Sequence, residues 1–385
     1  MRRLRTLAGW VTGIAGAAWL VWAGRELPGQ LGARPTGERR RRIARSPRFG
    51  ADGRSHNLPG PRRPLHAVRE TARWLFVGRD AQHPAHPIPV VAGPRPDECG
   101  ERSTHGGTET RGNGRLHVTW LGHSTCLVEL DGARLLTDPI WSERCSPSPA
   151  IGPRRLHDMP LLLDELPRCD AIVVSHDHYD HLDRRTVEGL SRTQEAPFVV
   201  PLGVGAHLER WGVPARRIVE LDWGESATPS DTGIRLTATP AQHLSGRAVV
   251  TKRTLWASWV MTGPQHRVYF SGDTGYFGEF RRIGAEHGPF DVVLMQIGAY
   301  GDGWPNAHMT PEEAARALRD LGTRITVPIH WGTFSLAGHP WDEPVERLLA
   351  ATSEDGMRVV VPRPGERVDV DAPPPLDPWW RAVAR

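Results

Sequence analysis

Ser-His-Asp-His-Tyr-Asp-His-Leu-Asp, residues 175–183, stands immediately behind the apolar run Ala171, Ile172, Val173 and Val174. The run has the length and β-branched content of a buried strand, so the polar stretch reads as a loop at a strand end. Imidazole nitrogens and carboxylate oxygens are the donors that suit Zn²⁺, and His176, His178, Asp180 and His181 gather four of them within six residues. Donors at i and i+2 on a short turn can converge on one ion, while Asp180 and His181 point elsewhere and can serve a second. The pattern predicts two metals. A histidine-rich surface loop is the bland alternative, but histidine makes up only 18 of the 385 residues, and so dense a group behind a buried-type strand counts against it.

Single candidates recur downstream, each at the end of another apolar run. His243 follows Ile234-Arg-Leu-Thr-Ala-Thr-Pro, Asp273 follows Val268-Tyr-Phe-Ser-Gly, and His330 follows Ile325-Thr-Val-Pro-Ile. Strand ends are where an α/β scaffold assembles a site. Around them the chain reads as three early strands from Leu116, the last two joined at Asp131-Gly132, a strong hairpin turn. Strand and helix signals then alternate as far as Val361. Thr310-Pro-Glu-Glu opens one helix with a cap residue, a proline at the first position and a glutamate at the third. Strands in sets, with helices between the later ones, fit a layered α/β fold of two sheets covered by outer helices.

At 385 residues there is room for one large domain with extensions. The formal net charge of +4 is mildly basic, and the excess gathers in the first 85 residues, around Arg39 to Arg48. Such a run reads as a solvated, flexible tract with an attraction to anionic lipid; nucleic acid is not expected as a partner. Residues 6–24 carry no charge and follow the basic start Met-Arg-Arg-Leu-Arg, the pattern of a signal or membrane-anchor segment, taken as 1–30. The expected location is therefore the membrane, or outside it after export. An Arg-, Pro- and Gly-rich extension and linker fills 31–114, with one helical patch at Leu65–Val77 and with His83, His86 and His105 expected in solvent. The main domain spans 115–365, and 366–385 is a C-terminal tail. The four cysteines, Cys99, Cys126, Cys145 and Cys169, have no paired spacing, so neither a disulfide framework nor a cysteine metal site is expected.

These residues resemble the metallo-β-lactamase superfamily, whose His-x-His-x-Asp-His motif is present as His176 to His181. Within it the chain is similar to the N-acylphosphatidylethanolamine-hydrolysing phospholipase D group. The segments that carry this are Thr119-Trp-Leu-Gly-His-Ser-Thr, Leu135-Leu-Thr-Asp-Pro, Pro240-Ala-Gln-His, Leu255-Trp-Ala-Ser-Trp, Ser271-Gly-Asp-Thr-Gly-Tyr, Ile297-Gly-Ala-Tyr, Pro311-Glu-Glu-Ala and Ile329-His-Trp-Gly-Thr-Phe. The resemblance implies an αββα four-layer sandwich with two zinc ions at one edge. By position, His176, His178 and His243 would hold the first, Asp180, His181 and His330 the second, and Asp273 would bridge them. Asp273, Asp180 and His308 are the candidates to carry catalysis. Asp138 and His123 are expected behind the ligands, Asp138 fixing a ligand tautomer. His308, Trp331 and Trp304 are expected beside the substrate, and Ala307 stands where the group can carry glutamine.

Two metals that share a water suit a phosphodiester, so the expected activity is a phospholipase D type of cleavage of N-acylphosphatidylethanolamine-like phospholipids. The partners are then the lipid and a membrane surface, with a homodimer left open. A lactonase acting on a small sugar-acid lactone is the alternative enzyme, and a membrane-tethered zinc protein without activity is the third reading.

Overall fold

The computed structural model describes residues 24, 26–58, 81–95, 115–247, 252–304, 306–354 and 356–384. The helical patch at Leu65–Val77, nearly all of the apolar segment Thr6–Gly24, His105 and Cys99 lie outside them. Among the described residues fourteen strands form two seven-stranded sheets. The strands are β1 Leu116–Gly122, β2 Thr125–Leu130, β3 Ala133–Thr137, β4 Ala171–Val173, β5 Phe198–Pro201, β6 Ile218–Leu221 and β7 Ser226–Ala227, followed by β8 Arg235–Thr239, β9 Ser258–Thr262, β10 Arg267–Phe270, β11 Val292–Gln296, β12 Ile325–Ile329, β13 Arg358–Val359 and β14 Arg367–Asp369. The helices are α1 Leu27–Gln30, α2 Gly37–Arg45, α3 Arg184–Thr193, α4 Gly205–Arg210, α5 Glu279–His287, α6 Pro311–Leu321, α7 Glu343–Thr352 and α8 Trp379–Val383.

The first sheet runs β14-β1-β2-β3-β4-β5-β6 and the second β13-β12-β11-β10-β9-β8-β7. In the first, β14 to β3 pair antiparallel and β3 to β6 parallel. The second repeats this, antiparallel from β7 to β10 and parallel from β10 to β13. No repeat of residues announces this matching pair of halves. The alternation of side chains builds the layers. Cys126, Val128 and Leu130 of β2 enter the cluster between the sheets, while Leu127 enters a second cluster outside. Val173 and Val199 likewise point inward, and Ile172, Phe198 and Val200 outward against Val187 and Leu190 of α3. The expected αββα sandwich is the fold.

Helix α6 shows the local chemistry at work. Thr310 Oγ1 accepts the N–H of Glu313, whose carboxylate accepts the N–H of Thr310, so both ends of the capping box are made. Gly322, at φ 74°, ends the helix in the left-handed region. Ala314, Ala315 and Ala317 on the buried face keep the helix thin enough to lie close to the sheet. At Gly284 of α5 a Cβ would sit 2.5 Å from the Asp320 carbonyl, so only glycine allows the two helices to approach this closely.

Two expectations about the ends of the chain are corrected. Residues 366–385 are not a tail: β14 pairs with β1 along the sheet edge, and Trp379 and Trp380 of α8 are buried in the core. Nor is the arginine run of 39–48 solvated throughout, although Arg40, Arg41 and Arg45 are exposed. It lies largely on α2, where Arg39 pairs with Glu220 and Glu209, and Arg42 pairs with Glu225 and donates to the Glu220 carbonyl at 2.7 Å. Acidic partners on β6 and the turn after it give these charges an intramolecular use that composition does not reveal. Residues 81–95 also lie along the domain, with Val91 N–H on Pro364 O and Gly93 N–H on Pro160 O; His83 and His86 are exposed. Among the described residues no helix is long and apolar enough to cross a membrane.

Candidate metal centre

The strand ends β1, β3, β4, β8, β10 and β12 deliver their following residues to one edge of the sandwich. There the loop after β4 folds back so that the N–H groups of His181 and Leu182 bond the His178 carbonyl, and Asp183 caps α3 by accepting from Arg185 N–H. The histidines and aspartates fall into adjoining groups, each able to present one atom per residue to a common point. One is His176, His178 and His243, and another is His123, Asp180, His181 and His330. Asp273 joins them. Its Oδ2 lies 3.8 Å from His176 Nε2, 3.7 Å from His243 Nε2, 3.0 Å from His181 Nε2 and 3.2 Å from His330 Nε2. All seven residues proposed as ligands thus meet here, with Asp273 between the two groups.

The neighbours fix which nitrogen of each ring faces the centre. Asp138 accepts Ser175 N–H on one oxygen, and on the other it accepts both Ser175 Oγ–H and His181 Nδ1–H, each at 2.6 Å. With its proton committed to Asp138, Ser175 Oγ accepts from His176 Nδ1 at 2.8 Å. His243 Nδ1 donates to the Ala307 carbonyl at 2.9 Å, a contact that any residue at 307 supplies. His176, His181 and His243 therefore all turn Nε2 inward. His123 Nε2 lies 3.0 Å from Asp180 Oδ2, and its ring stands 4.0 Å from that of His330. His123, Asp138 and His330 all adopt positive φ, at 53°, 33° and 63°. Such strained backbone gathers at sites where the fold over-determines the chain.

The electrostatics describe a cavity made for a cation. Burial opposes ionisation of Asp273, yet the charges of His181 and His330 hold its carboxyl well below the usual range. Burial likewise opposes the charge on His181 and His330, but Asp273 and Asp180 outweigh it, lifting His181 well above its ordinary value and His330 to about 9. Burial and neighbouring histidines pull His176 and His243 far down. The carboxylates are thus balanced by charge on His181 and His330, a charge that a metal cation held by these residues would supply instead. His181 Nε2 and His330 Nε2 have a carboxylate oxygen as near neighbour, Asp273 Oδ2 at 3.0 and 3.2 Å, and Asp273 Oδ1 is buried with no hydrogen-bond partner. An ionised carboxylate oxygen left over beside a cluster of imidazole nitrogens fits a metal ion, and nothing apolar would relieve it.

The residues expected beside the substrate divide. His308 reaches the centre, its Nε2 3.9 Å from Asp273 Oδ2, and burial holds its ring neutral with a pKa near 4. Trp304 lies half-buried at the start of the loop carrying His308, its N–H on the Ala299 carbonyl. Trp331 does not face substrate. It is 3% exposed and stacks on Trp120 at 5.7 Å and 6°, with Trp341, Trp379 and Trp380 around it, and its N–H is taken by Pro328 O. The turn at His330 sends the imidazole to the metal edge and the next side chain into the core. Cys145 and Cys169 are buried free thiols.

Sequence reasoning missed Asp177 and Arg247. Asp177 accepts Gly246 N–H and Thr254 Oγ–H and meets His207 Nε2. The buried Arg247 guanidinium donates to the carbonyls of Asp177 and Leu182, to Gln30 O and to Gln30 Oε1, packed on the rings of Tyr179 and Trp211. The ligand loop is therefore held from behind by α1. A Tyr between two ligands and an arginine in Ser-Gly-Arg carry no signal that would have paired them.

Three comparisons bear on this geometry. Residues 133–331 match the family model described as Beta-lactamase superfamily domain. The chain is 50% identical over 388 residues to an uncharacterized protein of Mycobacterium tuberculosis, covering 99% of this chain and 100% of that one. It is 39% identical over 231 residues to N-acyl-phosphatidylethanolamine-hydrolyzing phospholipase D 1 of Caenorhabditis elegans, covering 57% of this chain and 65% of the worm protein. A solved metallo hydrolase from the archaeon Ignicoccus hospitalis superposes with a TM-score of 0.50 at 26% identity, over 66% of this chain and 97% of the other.

Proposed function

The chain belongs to the beta-lactamase superfamily and is a metal-dependent hydrolase; on that premise we propose that it is a two-zinc phosphodiesterase of the phospholipase D type, acting on N-acylphosphatidylethanolamine-like phospholipids. The observation that carries the reading is Asp273 Oδ2, which stands within 4 Å of histidines from both ligand groups. A carboxylate in that position suits a pair of ions rather than one, and the all-nitrogen-and-oxygen donor set suits zinc. Similarity to the worm phospholipase supports the substrate class. Bound zinc would supply a hydroxide at neutral pH and neutralise phosphate oxygens.

The chain's own residues do the rest. Asp273 sets the spacing of the two groups, and Asp180, backed by the His123 ring, keeps its carboxylate aimed at the second. His308 is neutral and has a buried Nδ1 without a partner, so its ring N–H can donate a hydrogen bond to a phosphate oxygen and orient it. Cleavage on the headgroup side releases a phosphatidic acid and an N-acylethanolamine. We also place the enzyme at the membrane surface through residues 6–24, since a two-chain lipid leaves the bilayer only at about 0.8 kcal/mol per CH₂.

The test is turnover of lipid and lactone panels in ¹⁸O-labelled water, read by mass spectrometry. Label in the phosphate product supports the proposal. Label in a carboxylate, with the lactones consumed and the lipids untouched, replaces it with the lactonase.

A further inference from the structure

His243 occupies a weak place in the fold. It follows β8 by way of Pro240, Ala241 and Gln242, outside any strand, so neither its N–H nor its carbonyl has a sheet partner. Its ring is pinned at Nδ1 by the Ala307 carbonyl, and the chain before it is held at Gln242 by Thr274 Oγ1 and Gly275 N–H, but none of these contacts reaches the peptide groups of His243 itself. The missing restraint comes from far off in sequence. Asn57 Nδ2 donates to the His243 carbonyl at 2.8 Å, and His243 N–H donates to Asn57 Oδ1 at 2.9 Å, across 186 residues. One side-chain amide thereby gives His243 the paired bonds that a neighbouring strand would give. Asparagine is suited to this because it carries an acceptor and a donor on one short planar group.

Asn57 is itself held in register. Ser55 N–H bonds the Lys252 carbonyl at 2.8 Å and Ser55 Oγ–H the Thr254 carbonyl at 2.9 Å. Phe49 and Ser55 form a β-bridge, and Phe49 and Leu58 pack on the central core. We infer that Asn57, carried by the N-terminal arm, is a positioning residue for His243, so that the arm is a working part of the metal centre. The inference rests on the reading of His243 as a ligand. Losing both bonds would leave two buried backbone groups unpaired and let Nε2 drift from its place beside His178 Nδ1, 3.3 Å away.

The experiment uses the full chain with Asn57→Ala, Asn57→Asp, His243→Ala and, as a control on the same arm, Arg42→Ala. Zinc affinity is measured by chelator competition, the His243 amide by hydrogen exchange in the metal-free protein, and folding by thermal denaturation. Asn57→Ala is expected to weaken zinc binding about tenfold and to speed exchange at the His243 amide. Asn57→Asp, which keeps the acceptor for His243 N–H, is expected to fall between it and wild type and serves if the alanine variant does not fold. Arg42→Ala is expected to change neither readout. The inference is overturned if both Asn57 variants match wild type in affinity and exchange, or if Arg42→Ala lowers affinity as much as they do, which would make the arm a generic stabiliser. If His243→Ala leaves zinc affinity unchanged, the ligand assignment fails first and the inference with it.

Discussion

At the end of the sandwich away from the metal edge, the β2–β3 turn meets the β9–β10 turn. There Asp131 accepts the N–H groups of Gln265 and His266 at 2.8 and 3.0 Å and the His266 ring at 2.6 Å, while His266 Nε2 lies 3.3 Å from Asp371. Histidine and carboxylate join the two sheets at this end too, yet each polar atom named has a partner. At the other edge the same residue types converge on Asp273, whose Oδ1 is left over. The difference separates a staple from a binding cavity: a closed set of hydrogen bonds stabilises the fold, and an open set with a buried oxygen left over awaits an ion.

Breaking the open set should have the largest effect. Asp273→Asn removes the charge shared by both ligand groups and should lower turnover by at least about a thousandfold, roughly 4 kcal/mol of barrier, measured alongside metal content by elemental analysis. An active variant with one tightly held metal would undo the two-metal assignment. Asp138→Ala, which frees His181 Nδ1 and Ser175 at once, should weaken metal binding by about 10- to 100-fold in a chelator titration. Wild-type affinity there would reduce Asp138 to a strand-end cap.

The closed set should respond in the opposite way. Asp131→Ala should cost about 1–3 kcal/mol of stability, read as a lower denaturant midpoint, with metal stoichiometry intact. Loss of metal in that variant would mean the two ends are not independent. The smallest effect is a pH dependence. Burial works against the charged His266 ring, but the hydrogen bond and charge of Asp131, with Asp371 and Asp291, raise its pKa above the ordinary value. Its contribution is therefore fully present below about pH 6.5 and is lost as pH rises through the folded value. Solvent screening at this rim keeps the change below about 1 kcal/mol. Stability of wild type minus that of Asp131→Ala should shrink from pH 6 to pH 9, and a constant difference would show that the ring does not titrate there.

What the sequence reveals follows the same division. The loop 175–183 is legible because its donors are contiguous behind an apolar run, and His243, Asp273 and His330 are legible because each closes such a run. Asp131-Gly132 is legible as a turn, but its clasp on His266 is not, since the partners stand 135 residues apart. Asn57 and Gln30 are hidden for the same reason, in a stretch whose arginines and prolines suggest solvent. Trp331 misleads in a different way. Proximity to a ligand in sequence says nothing about which side of a left-handed residue the next side chain takes. The β14 edge strand is missed because its few residues are followed by prolines, and only β1 tells them what to be.

The arm that holds the candidate ligand loops is made well before the loops it holds. Gln30 must wait for Arg247, 217 residues later, and at about 5–20 residues per second this is a delay of roughly 10–40 seconds. Until then Gln30 has no Arg247 to hold, and Asn57 waits 186 residues for His243. Asp273 and His330 follow Arg247 in the chain, so the histidine and aspartate edge and its support from behind are both completed late.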